Sequence, residues 1–197
     1  MTTAYISREA LKISLKIGDD VDDDGLDRAI LAASKAIDDK TGRTFGRADT
    51  VTQRTYRTAG RLLWTSDGWH ELLVDDIATE DGLVVEVGST GSWTAVSGWI
   101  TGPDNAVADG KPITSLLHPT MWPCYQWQRV RVTSVHGWPS IPESVEQACL
   151  IQAGRLFRRK DSPEGVVATS EWGPLRVARL DPDVKDLLDP VTLPGFG

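Results

Sequence analysis

Cysteine, methionine and histidine are scarce in this chain, at two, two and three residues among 197. Each scarcity closes a class of chemistry. There is no C-x-x-C and no H-E-x-x-H, and His70, His118 and His136 stand singly, so with Cys124 they could be gathered into a zinc site only by assuming a fold. No G-x-S-x-G elbow and no phosphate-cradling glycine loop occurs either. The adjacent acids Asp38-Asp39 and Asp75-Asp76 point apart on a helix or strand and read as solvated faces rather than a catalytic pair. No enzyme, metal or cofactor is expected.

Long apolar runs are absent too. Nothing approaches the roughly 18 residues that cross a bilayer, and the polar opening MTTAYISREA does not read as a signal peptide, so a cytosolic origin with no membrane partner is expected. Cys124 and Cys149 are then expected to stay reduced. An excess of positive charge is also missing. Acids outnumber bases ten to eight up to residue 49, nine to six over 50–140, and nine to seven beyond, for a net charge of -7. No segment reads as a basic nucleic-acid-binding arm.

Tryptophan, by contrast, is abundant. Six of the eight fall between Trp64 and Trp127, as filling for a small β core or a subunit interface. The stretch Pro142 to Lys160 predicts a central helix apolar almost all round, with Ser140 and Glu143 at capping-box spacing and Arg158 to Lys160 in its last turn. Val145, Leu156 and Phe157 are its expected core residues. Ser7 to Ile17 predicts a short helix ended by Gly18. Asp24 to Gly42 predicts another, whose Leu26, Ala29, Ile30, Ala33 and Ile37 make one apolar stripe; Leu26, Ile30 and Ile37 are assigned to the core. Asp20, Asp22, Asp24 and Gly25 match the first half of an EF-hand loop, but its twelfth position is Leu31 where a bidentate Glu is needed. These acids are read as a turn preceding the helix.

Between the helices the period drops to two. Strands are expected at Val51–Arg57, Leu62–Trp64, Leu72–Asp75, Leu83–Val87, Trp93–Ile100 and Trp127–Val135, with loops at Gly102–Pro112 and Leu117–Pro123. After the central helix comes a long Gly/Pro/Ser-rich loop, Asp161 to Arg179, and then a short helix opened by Asp181-Pro182. Two prolines and two glycines make Asp189 to Gly197 an extended tail. The fold class expected is α+β: a helical bundle of N- and C-terminal helices with an inserted antiparallel β module. The boundaries are 1–49, 50–138, 139–180 and 181–197.

The order of YISREALKISLKIGDD, DGLDRAILAASKAIDDKTGRTF, WQRVRVTSVHGWPSIPESVEQACLIQAGRLFRRKDSPEGV and EWGPLRVARLDPDVKDLL resembles the head-to-tail connector (adaptor, or head-completion) proteins of long-tailed bacteriophages. The likeness covers almost the whole chain, and Trp138-Pro139, the helix end at Arg158 to Gly165 and Arg179 to Leu188 are its most specific parts. It implies a non-enzymatic virion protein of the neck, made in the host cytoplasm. The family forms a ring, usually dodecameric, that docks on the portal protein and offers the next neck component, with DNA only passing through the lumen. On this footing the short helix and tail, through Val184, Leu187, Leu188, Val191, Leu193 and Phe196, are expected to grip the portal. The preceding loop, through Pro163, Val166, Val167, Trp172, Leu175 and Val177, is expected to contact an adjacent subunit. The alternative is a nucleic-acid-binding module whose Arg54, Arg57, Arg61, Arg129 and Arg131 lie beside exposed tryptophans.

Overall fold

The computed structural model describes residues 3–124, 127–159 and 181–193. The chain divides into two compact units, Met1–Phe45 with Ile141–Gly197, and Gly46–Ser140. Among the described residues the architecture is mixed α+β, with four α-helices in the first unit and two antiparallel sheets in the second.

In the helical unit, α1 (Arg8–Leu15) starts where the Ser7 hydroxyl accepts the Ala10 amide at 3.1 Å, as an N-cap should. It ends earlier than its glycine suggests. Lys16, not Gly18, takes the left-handed conformation at φ 57°, and the Ile17 amide closes back on the Lys12 carbonyl. Helix α2 (Asp23–Thr41) buries the whole stripe Leu26, Ala29, Ile30, Ala33 and Ile37, and Gly42 caps it at φ 68°.

Helix α3 (Glu143–Arg159) packs against α1, α2 and α4 (Pro182–Leu188), which explains why it is apolar on several faces. Small residues allow the approach: a side chain at Gly154 would meet Leu15 at 3.4 Å and Leu11 at 3.9 Å. Val145 and Phe157 are buried, whereas Leu156 is only half-buried. The capping box does not form at the expected place. The Pro142 carbonyl accepts the Glu146 amide, so the first turn begins beyond Ser140, which is exposed.

In the β unit one sheet has the order β1 (Thr52–Tyr56), β8 (Arg129–Ser134), β4 (Val84–Ser89), β5 (Ser92–Ala95). The other runs β2 (Leu62–Trp64), β3 (His70–Ile77), β7 (Ile113–His118), β6 (Ile100–Gly102). Tyr56, Val85, Val87, Val130 and Val132 of the first sheet form a common core with Leu72, Val74 and Leu116 of the second, and Ile77 and Ile113 join it beyond the register shift between Leu73 and Ile77. Trp122 joins this core and Trp138 is also buried, but Trp64 and Trp127 are exposed.

Two strand expectations are corrected. Trp93–Ile100 is not one strand: the chain turns at Gly98 (φ 83°), separating β5 from β6. Leu117 and His118 belong to β7 rather than to a loop. The period-two signal fails in β7 because its core residues Ile113 and Leu116 are three apart, beside the register shift between Leu73 and Ile77, and Leu117 next to Leu116 is apolar as well.

Candidate interaction surfaces

The acidic turn is held by cations of its own chain. Lys12 Nζ lies 2.6 Å from Asp20 and 2.5 Å from Asp23. Arg8 reaches Asp23 at 2.6 Å and forks onto Asp27 at 2.8 and 2.5 Å. The Lys12 ammonium, and then Arg8, hold the Asp23 carboxyl below its usual range, and Arg8 does the same for Asp27. The arrangement ties α1 to the start of α2.

Asp38 and Asp76, expected on solvated faces, are structural acceptors. The Tyr5 hydroxyl donates to Asp38 and accepts the Phe45 amide at 2.9 Å, which fixes the chain entering α1 against the end of α2. Burial pushes both the Tyr5 hydroxyl and the Asp38 carboxyl up. Asp76 accepts the Trp138 indole N–H at 2.9 Å, and its backbone carbonyl accepts the Gly137 amide at 2.8 Å. A backbone carbonyl has no proton to give, so Nδ1–H of His136 donates to that same Asp76 oxygen, at 3.3 Å. Nε2 is then free to accept from the Ser134 hydroxyl at 3.1 Å.

His70 and His118 stand opposite each other on β3 and β7, each beside an indole: Trp64 at 4.5 Å and Trp122 at 5.4 Å between ring centroids. Among the described residues no three His, Cys, Asp or Glu side chains gather as a metal site. Cys124 and Cys149 are reduced thiols. Cys149, buried in α3, lies 3.6 Å from the Ser34 hydroxyl.

The arginines of the alternative reading are largely engaged. Asp75 takes Arg54 at 2.9 Å and Arg61 at 3.6 Å. Arg131 pairs with Glu86 at 2.7 Å and lies 4.3 Å over the Trp93 ring, while Arg129 donates to the carbonyls of Trp127 and Gln128. Arg57 is exposed, and among the described residues neither it nor Arg129 pairs with a carboxylate.

Of the residues expected to grip the portal, Val184 and Leu188 are fully buried, so in this conformation they cannot face a partner. Arg155 of α3 holds Asp181, the cap of α4, at 3.2 Å. The tail is not extended at its start: Asp189–Val191 form a 3-10 turn, which Pro190 tolerates because it occupies the turn's first positions. The Leu193 amide then donates to the Thr41 carbonyl at 2.9 Å, and the Leu193 side chain covers Gly42. Leu187, Val191 and Leu193 remain half-exposed. Phe196 and all six residues expected at the subunit contact, Pro163, Val166, Val167, Trp172, Leu175 and Val177, lie outside the described residues.

No family model and no curated protein matches the chain. Solved structures do. A chain from the neck of an empty gene transfer agent (GTA) particle, computed with C6 symmetry, superposes with a TM-score of 0.58 at 18% identity, covering 98% of this chain and 93% of that one. A chain from the virion of a native gene transfer agent particle gives a TM-score of 0.55 at 19% identity, with 98% and 94% covered. The shared fold spans both units and essentially the whole length of the neighbours.

Proposed function

We propose that this chain is a structural, non-enzymatic component of a virion neck: a head-to-tail connector of a tailed phage-like particle. The observation carrying this reading is the likeness, over 98% of the chain, to a chain from a particle neck. The C6 symmetry of that neck supports assembly of several copies about the particle axis, and the connector resemblance of the sequence favours a ring, usually of twelve. In this reading the helices of the first unit form the bundle at the body of each subunit. The ring docks on the portal and offers the next neck component, while DNA passes through without being held. A net charge of -7 and arginines already paired with carboxylates suit such a lumen.

Portal contact is assigned to Leu187, Val191 and Leu193 with the residues that follow, and the 161–179 segment to an adjacent subunit. Removal of the gene product tests the reading. DNA-filled heads that fail to acquire tails are expected; normally tailed, infectious or transducing particles would overturn it.

A further inference from the structure

The outward face of the β2-β3-β7-β6 sheet is unusual for a surface. Register places Leu63, Glu71, Leu117 and Ile100 in one row across all four strands, with Leu73 two residues along β3 on the same side. Leu63 is 49% exposed and Ile100 45%. The corresponding face of the other sheet is closed by polar contacts, the Arg131–Glu86 pair with Arg131 stacked on Trp93. Glu71, in the middle of the apolar row, has no side-chain partner among the described residues.

The end of α1 in the helical unit has the complementary chemistry. Ile13, 78% exposed, and Val21, 88% exposed, are the most exposed large apolar side chains among its described residues. Lys16, the C-cap of α1, lies between them in sequence and is exposed with no ion pair among the described residues, although Arg8 and Lys12 of the helix are both engaged by aspartates.

We infer that the Leu63/Leu73/Leu117/Ile100 face around Glu71 docks a second copy of this chain, through Ile13 at the end of α1 and Lys16 and Val21 in the connection that follows it. Opposite charges set among apolar side chains fix both partner and orientation. Two copies of the sheet face set against each other would bring Glu71 toward Glu71, which disfavours a two-fold pairing. The contact is therefore heterologous, the kind that propagates from copy to copy and closes into a ring when the rotation allows. This inference rests on the self-assembly in the proposed function and assigns it a surface.

Carbodiimide coupling tests it on the full chain at high concentration, using an equal mixture of 14N- and 15N-labelled protein. A Lys16–Glu71 linked peptide is expected, with mixed-isotope pairs showing that it joins two molecules. Ile13→Ser, which keeps both reactive groups and adds no carboxylate, should lower its yield about tenfold, the effect of one lost anchor contact. Absence of the link, its confinement to single-isotope pairs, or indifference to Ile13→Ser would overturn the interface. Mass spectrometry of purified particles judges the neck reading separately: the chain present there without this link sinks the interface alone, and the chain missing there sinks the neck reading.

Discussion

The indole N–H of Trp138 donates to the Asp76 carboxylate at 2.9 Å, joining the last turn of the β unit to the end of β3, 62 residues earlier. Gly137 and His136 bond to the backbone carbonyl of the same aspartate. Replacing Trp138 with Phe keeps most of the buried ring but leaves the carboxylate short of a donor. A loss of about 1–3 kcal/mol is expected in denaturant melts. Trp138→Phe at wild-type stability would mean that the bond contributes nothing net.

His136 gives a pH dependence. Burial, and then the charge of Arg54, hold its imidazole below the usual range. The unfolded chain therefore takes up a proton at higher pH than the folded one. The contribution of His136 is complete above the unfolded value of about 6.5 and is lost as pH falls from there through the folded value. A His136→Gln variant should show a flatter stability profile below that pH. An unchanged profile would locate the dependence elsewhere.

Much of the helical unit was legible because its signals are local. The α2 stripe, the Ser7 cap and the Asp181-Pro182 start each need only a few neighbouring residues. The β unit was harder to read. Strand β7 lacks alternation because its core residues Ile113 and Leu116 lie three apart, beside the register shift between Leu73 and Ile77. Asp38 and Asp76 looked solvated because their partners, Tyr5 and Trp138, are 33 and 62 residues away. The sheet face around Glu71 could not be recognised without β7 and its register. The start of the tail, taken as extended from its prolines, is a turn docked on the end of α2.

Along α3, Phe157→Ala should cost about 3–5 kcal/mol, since this ring is buried and lies 3.4 Å from where a side chain at Gly25 would begin. Leu156→Ala, at a half-buried position, should cost clearly less. Chemical denaturation of both variants provides the check, and equal losses would contradict the burial of α3 described above.

The C-terminal segment contributes to its own subunit before it can serve a partner. Truncation after Leu188 removes the Leu193–Thr41 bond and the cover on Gly42, and should lower stability by about 1–2 kcal/mol. Truncation after Leu193 should leave the melt unchanged yet weaken joining to portal-bearing heads. A stable, fully joining protein ending at Leu188 would remove the tail from the portal contact.

Electron microscopy of purified particles tests the neck assignment most directly. The account predicts density for several copies of this α+β fold arranged about the particle axis, in the collar between the filled head and the tail. Particles whose neck contains no such density, or in which the chain lies elsewhere, would contradict it.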